Sequence, residues 1–295
     1  MPERKFFIVD VFADQKFGGN QLAVFLDGNQ YSDDVKQKMA REMNFSETTF
    51  IMSDREQTGT WPVRIFTPNE EVPFAGHPTI GTAYIIQKYL IESPVDKIIL
   101  AEKAGDIPVS ISYRNNVPDI LTMTQLSPKF GEEIGISAIA AILQLDEEQF
   151  DERYPIESVS TGLAALMIPL KTLEAVKGAR INRDRYFDFC KKHDTKNLFV
   201  FAPETYDSAN QINARMFAEY FGVPEDPATG SANGCLAGYL VKHRYFGGAE
   251  IDIRVEQGYE IGRPSILYLT ASKDKNSYTI KVGGRVNLFA QGNTA

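Results

Sequence analysis

A chain of 295 residues with 43% apolar and 24% charged residues has the composition of a folded globular protein. Its formal net charge of −8 would repel the phosphates of a nucleic acid, so no nucleic-acid partner is expected. The length is large for one core and favours two domains.

The compartment is predicted from the first residues and from the cysteines. Residues 1–7 contain two basic residues, but Asp10 interrupts the apolar run that follows. No segment has the features of a signal peptide or the length of a membrane span. Cys190 and Cys235 lack C-x-x-C spacing, so two reduced, buried thiols are expected. We predict a cytoplasmic protein without membrane contact.

The first half of the chain is predicted to alternate short strands with two helices. Ser32 is a plausible N-cap, and Val35, Met39 and Met43 recur every four residues, which predicts an amphipathic helix ending near residue 44. A second, more apolar helix is predicted at residues 78–90, and a polar turn at 53–60. Strands are predicted at residues 5–12, 22–26, 44–50, 98–100, 107–113 and 120–124.

The second half repeats the order of the first. At an offset of 154, Pro73 falls on Pro227, Gly76 on Gly230 and Thr79 on Asn233. Each copy has a short strand, a proline-containing loop, a glycine and an apolar helix, the second helix at residues 231–241. The other matched segments are 159–170, a helix at 184–193, strands at 198–202, 266–270 and 278–282, and Gln257-Gly258 opposite Ala104-Gly105. The repeat predicts two similar domains, with a junction within residues 127–135.

The two repeated helices each begin beside a glycine. A helix start leaves backbone N–H groups without intrahelical partners and carries partial positive charge. Glycine lets an anion approach these groups closely. The pair of helix starts therefore predicts a site that binds a carboxylate.

Four segments resemble the signature of the phenazine-biosynthesis PhzF-like isomerases: Gly19-Asn20, Ser46-Glu47-Thr48, Gly76-His77-Pro78-Thr79, and residues 225–231. The resemblance implies an α+β, diaminopimelate epimerase-like fold with two pseudo-symmetric domains. Each would be a mostly antiparallel sheet or barrel around a central helix, with the active site between the domains. It implies domains at residues 1–126 and 127–283, the last strand, about 284–295, packing with the first domain.

The resemblance also implies roles for individual residues. By residue type alone, Glu47 reads as a solvated carboxylate, His77 as a packing or capping residue, and Asp226 as a turn residue. The family resemblance instead makes Glu47 the acid/base, with His77 and Asp226 assisting proton transfer and orienting the substrate. The residues expected to bind substrate are Gly76, Gly230, Ser231 and, less specifically, Asn20.

Other chemistries lack their residues. The epimerase relatives use a cysteine at each helix start, but Ala75 and Thr229 occupy those positions here, which excludes racemisation by two thiols. Nucleotide-binding glycine motifs are absent, and the three histidines have no metal-ligand spacing. We expect no cofactor and no metal.

The sequence predicts an isomerase that moves a proton and a double bond in a small carboxylic acid. Two alternatives stay open: an inactive binding or scaffold protein that keeps the cleft, and a lyase or hydrolase that uses Glu47 as its base. The resemblance also favours a homodimer.

Overall fold

The computed structural model describes residues 3–53, 59–275 and 277–294. The helices are α1 Asp33–Met43, α2 Gly76–Tyr89, α3 Ile136–Leu143, α4 Leu173–Gly178, α5 Arg183–Cys190 and α6 Gly230–Lys242. The strands are β1 Lys5–Val11, β2 Asn20–Phe25, β3 Glu47–Ile51, β4 Trp61–Phe66, β5 Glu71–Val72, β6 Lys97–Glu102, β7 Gly105–Arg114, β8 Val117–Thr124, β9 Lys129–Ile134, β10 Ile156–Ser160, β11 Ala164–Pro169, β12 Asn197–Ala202, β13 Ile212–Ala218, β14 Val223–Asp226, β15 Glu250–Gln257, β16 Ser265–Asp274, β17 Ser277–Gly284 and β18 Val286–Asn293.

The chain separates into two compact units. Unit 1 is Met1–Thr124 with Gly283–Ala295, and unit 2 is Gln125–Val282. In unit 1, β18 pairs antiparallel with β1, which pairs antiparallel with β2. The chain therefore returns to its first strand at its end. Residues 127–135 lie in unit 2 and include β9.

The two units share one order of strand pairing. In unit 1, β2 and β3 are parallel, β4 is antiparallel to β3 and β5, and β6 is parallel to β4. In unit 2, β11 and β12 are parallel, β13 is antiparallel to β12 and β14, and β15 is parallel to β13. Antiparallel pairs follow in both, β6 with β7 and β15 with β16. The internal repeat predicted from the sequence is thus a repeat of topology.

Each unit holds one buried helix against its strands. In α2, every residue from Gly76 through Gln87 is buried, and the helix packs against β1, β2, β3 and β6 to β8. In unit 2, α6 packs against β10, β11, β15 and β16. Glycines allow this close packing: a Cβ at Gly81 would lie 2.6 Å from a Leu22 methyl carbon, and one at Gly234 would lie 2.9 Å from Gln125 Cγ. These two helices are the central helices predicted from the repeat.

The opposite faces of the strands are covered by the outer helices. In unit 1, Val35, Met39 and Met43 of α1 pack on a cluster that includes Phe25 and Phe50, as the four-residue periodicity predicts. The Ser32 hydroxyl accepts a hydrogen bond from the Val35 N–H, which confirms the predicted N-cap. In unit 2, α3, α4 and α5 contribute to one apolar cluster with β10 to β13.

The sequence did not predict α3 and α4. The turn predicted at residues 53–60 lies mostly outside the described residues, because 54–58 are not described. Over the described part of the chain, no helix combines the length and apolar character needed to cross a membrane.

Candidate active site

Three segments of unit 1 bring predicted site residues together. Glu47 is the first residue of β3 and pairs in register with Leu22 of β2. His77 is the second residue of α2, and its Nε2 lies 3.5 Å from Glu47 Oε2. Glu47 keeps 20% of its side chain exposed, whereas that of His77 is 6% exposed. The start of β3 therefore presents a partly accessible carboxylate to the start of the central helix.

His77 is neutral in this setting. Burial lowers its pKa to about 3, although a hydrogen bond to the backbone of Gln21 acts in the opposite direction. A bond that raises the pKa is one in which the ring donates, so the imidazole N–H points at the Gln21 carbonyl. This leaves Nε2 as an acceptor beside Glu47, and the contact is not an ion pair. A protonated Glu47 could donate to Nε2, whereas an ionised one could not.

Asn20 and Gly76 lie in the same region of unit 1. Asn20 is 2% exposed and begins β2, directly before Gln21, whose backbone holds His77. Gly76 begins α2, so its N–H has no partner within the helix. The hydroxyls of Thr49 and Thr82 lie 2.8 Å apart and join β3 to α2. Four predicted site residues of unit 1 are thus gathered around one helix start.

The start of α6 gathers the predicted site residues of unit 2. Asp226 ends β14, and Gly230 and Ser231 are the first two residues of α6. The Thr229 hydroxyl donates to Asp226 Oδ2. Asp226 is therefore held against the residue that caps α6.

The sequence did not predict that a polar side chain in the first turn of each central helix contacts the end of a neighbouring strand. In unit 1, Thr79 Oγ1 contacts Glu102 Oε1 at 2.6 Å, and in unit 2 Asn233 Nδ2 donates to Gln257 Oε1 at 2.9 Å. The parallel pairings Pro62 with Ala101 and Asn213 with Glu256 make Glu102 and Gln257 equivalent.

This strand register corrects the alignment predicted from the sequence, which set Gln257 opposite Ala104. The spacing from the central helix to the end of the strand differs by one residue: Thr79 and Glu102 are 23 residues apart, and Asn233 and Gln257 are 24 apart. A constant offset cannot follow such a change. The equivalence of Thr79 and Asn233 was visible in the sequence repeat, and it is the signal that could have led to their partners.

The two cysteines are buried in unit 2. Cys235 is fully buried inside α6, and burial raises the pKa of its thiol to about 11. Cys190 is also buried and reduced. Within residues 3–53, 59–275 and 277–294, no group of three or more histidine, cysteine or acidic side chains is arranged to hold a metal.

The chain belongs to the phenazine biosynthesis-like protein family, which it matches over residues 9–292. It is 34% identical to the uncharacterized isomerase of Clostridium acetobutylicum, over 94% of this chain and 93% of that one. It is 33% identical to the trans-2,3-dihydro-3-hydroxyanthranilate isomerase of Pseudomonas aeruginosa, over 98% of each chain. Family and relatives make this chain a PhzF-like isomerase.

Solved structures agree with this family. The PhzF-family phenazine biosynthesis protein of Bacillus anthracis superposes with a TM-score of 0.91 at 25% identity, covering 100% of both chains. A hydroxyproline epimerase from Agrobacterium vitis shares the fold, with a TM-score of 0.65 at 9% identity over 100% of this chain and 91% of that one. The α+β, epimerase-like fold predicted from the resemblance is confirmed.

Proposed function

We propose that this isomerase moves a proton between two carbon atoms of a small carboxylic acid and shifts a double bond, without a cofactor. Glu47 takes the proton from one carbon and returns it to another, so one C–H bond breaks, one forms, and no electrons leave the substrate. The observation that carries the proposal is the placement of a partly exposed Glu47 3.5 Å from a neutral His77 at the start of α2.

His77 fits the role of a partner that stabilises the protonated form of Glu47. Its Nε2 can accept a hydrogen bond only after Glu47 has taken up a proton. A neutral imidazole also avoids the ion pair that would hold Glu47 as a carboxylate. The pair therefore favours a carboxyl group that exchanges protons, as general acid–base catalysis requires.

The helix starts supply the proposed carboxylate donors. The N–H groups of Gly76, Gly230 and Ser231 lie in first turns, where the helix itself offers no acceptor. We propose that these groups hold the substrate carboxylate, with Asp226 and Asn20 contacting its hydroxyl or amine group. The proposed ligand class is a small carboxylate, and the relatives' named substrate, trans-2,3-dihydro-3-hydroxyanthranilate, is the first compound to test.

The test is deuterium uptake at carbon by candidate acids incubated with the protein in heavy water. We expect Glu47→Gln to lower the exchange rate at least about 100-fold, because the amide cannot accept the proton. Glu42→Gln, an exposed change on α1, is the matched control and should exchange at the wild-type rate.

Three outcomes would contradict the proposal. Ligand binding without exchange by any acid would indicate a binding protein, and release of water or another leaving group would indicate a lyase. Exchange that persists in Glu47→Gln would show that another group is the base.

A further inference from the structure

Glu102 is a buried carboxyl group to which the proposed mechanism assigns no role. It ends β6, is 7% exposed, and burial raises its pKa to about 8. Its Oε1 lies 2.6 Å from the Thr79 hydroxyl. Its Oε2 is buried and receives no hydrogen bond from the described residues. An ionised carboxylate would be poorly solvated here, since one of its oxygens lacks a donor.

The contacts of Thr79 indicate which group carries the proton. Thr79 Oγ1 lies 2.7 Å from the Ala75 carbonyl oxygen as well as 2.6 Å from Glu102 Oε1. A hydroxyl has one proton and a carbonyl has none, so Thr79 cannot donate to both oxygens at once. Both contacts become hydrogen bonds only if Glu102 is protonated and donates to Thr79, which then donates to Ala75. An ionised Glu102 would accept the hydrogen bond from the Thr79 hydroxyl. Thr79 Oγ1 and the Ala75 carbonyl oxygen would then face each other at 2.7 Å with no proton between them.

The acceptor of this chain belongs to the same peptide group as a proposed substrate donor. The Ala75 carbonyl and the Gly76 N–H share one planar peptide unit and point in opposite directions. The Ala75 carbonyl accepts from the Thr79 hydroxyl at 2.7 Å and from the Thr79 backbone N–H at the longer distance of 3.3 Å, and both bonds direct the Gly76 N–H away from the helix.

We propose that Glu102, as a neutral carboxylic acid, is a positioning residue that acts through Thr79 to aim the Gly76 N–H at the substrate carboxylate. This inference rests on the function proposed above.

Unit 2 contains the same device with an amide in place of the acid. Asn233 Nδ2 donates to the Thr229 carbonyl at 3.0 Å and to Gln257 Oε1 at 2.9 Å. That carbonyl shares its peptide unit with the Gly230 N–H, the equivalent of Gly76. Because glutamine cannot ionise, the unit 2 device is independent of pH. The direction of the link differs between the units: Gln257 accepts from Asn233, whereas a protonated Glu102 donates to Thr79.

The charged groups around Glu102 do not account for its protonation. Burial raises the pKa of Glu102, and the hydrogen bond with Thr79 acts in the opposite direction. Lys103 follows Glu102 in the chain, Asp106 on β7 pairs with Ala101 of β6, and His77 lies two residues before Thr79 on α2. Arg64 and Lys103 both contact Glu71, and His77 is neutral.

The first test needs no substrate. The amide signal of Gly76 is followed by NMR from pH 6 to 9.5, together with the ¹³C signal of the Glu102 carboxyl carbon. We expect both to titrate with a midpoint near pH 8, and Glu102→Gln to abolish the change at Gly76. Asp106→Asn removes an exposed carboxyl from the neighbouring strand and should leave the titration in place. A Glu102 midpoint near 4.5, or a Gly76 titration that survives in Glu102→Gln, would overturn the proposal.

The second test uses the deuterium-exchange reaction. Above pH 8 we expect the wild-type KM to rise about tenfold with a smaller change in kcat. The Gly76 N–H binds the substrate carboxylate, which does not take part in the reaction, so losing this contact weakens binding more than it slows the reaction. Glu102→Gln should lack this rise, and Thr79→Val should show it at every pH, with rescue by Thr79→Ser. A pH-independent wild-type KM, or a Thr79→Val effect confined to kcat, would contradict the positioning role. If no acid exchanges, the proposed function fails while the NMR titration still decides the state of Glu102.

Discussion

The starts of α2 and α6 perform the same structural task with different side chains. Behind α2, Thr79 connects the first peptide unit to Glu102, and behind α6, Asn233 connects it to Gln257. Both links fix the carbonyl one residue before the helix. They differ in that a carboxyl can lose its proton and an amide cannot. The comparison teaches that a repeated fold can keep a side-chain link between a helix start and a strand end while giving one copy a group that can ionise.

A second repeated pair differs in burial. Arg64 and Glu71 join β4 to β5 through two hydrogen bonds of 2.8 and 2.9 Å, and Arg215 and Glu225 join β13 to β14 at 3.0 and 2.8 Å. The Arg64 side chain is 26% exposed, whereas that of Arg215 is 6% exposed. Arg215 also donates to the carbonyls of Val176 and Ala179. The same ion pair is thus partly solvated in unit 1 and part of the interior in unit 2.

The largest expected effect is a difference in the free energy of unfolding lost when each of these two ion pairs is removed. Arg215→Met leaves Glu225 buried without its cation, so we expect a loss of about 3–5 kcal/mol in the free energy of unfolding. Arg64→Met is the matched control and should lose about 1 kcal/mol or less, because water can solvate Glu71. Urea unfolding of both variants measures the difference. Equal losses would show that burial does not distinguish the two pairs.

The next largest effect concerns the amide in unit 2. Gln257 Nε2 donates to the Asp226 carbonyl at 2.8 Å and to Thr229 Oγ1 at 3.1 Å, and Gln257 is fully buried. Gln257→Glu removes these donors and buries a carboxyl, so we expect a loss of about 2–3 kcal/mol at pH 8.

The loss should shrink at pH 5, where the new carboxyl is protonated, and thermal or urea unfolding at both pH values measures it. Glu102→Gln is the reciprocal change and should not destabilise unit 1. An unaffected Gln257→Glu variant would mean that the two positions tolerate acid and amide alike.

The smallest expected effect is a pH dependence of stability that arises in unit 1. The pKa of Glu102 is about 8 in the fold against an ordinary value of 4.5, so its contribution is fully present below pH 4.5 and is lost as the pH rises to 8. The pKa of His77 is about 3 against 6.5, so its contribution is present above pH 6.5 and is lost as the pH falls.

Of these two contributions, that of Glu102 alone changes between pH 6.5 and 8, by about 1.4 kcal/mol per pH unit, or about 2 kcal/mol in all. Subtracting the Glu102→Gln stability curve from that of the wild type isolates this slope. Parallel curves for the two proteins over this range would exclude a carboxyl that ionises near pH 8.

The sequence by itself determined the repeat, the two central helices and the family. The glycine and proline positions, the apolar helices and the four motifs are local patterns, and local patterns can be read without coordinates. Glu47 and His77 were predicted as site residues in this way, although only the fold could show that they lie 3.5 Å apart.

The protonation states were decided by tertiary structure. Burial makes His77 neutral and raises the pKa of Glu102, and burial depends on which strands cover the residue rather than on its neighbours in the chain. The equivalence of Glu102 and Gln257 also required the strand register, because the spacing from the central helix to the strand end differs by one residue between the units. Sequence spacing records order along the chain, whereas solvation and hydrogen-bond partners depend on distances in space that only the folded chain defines.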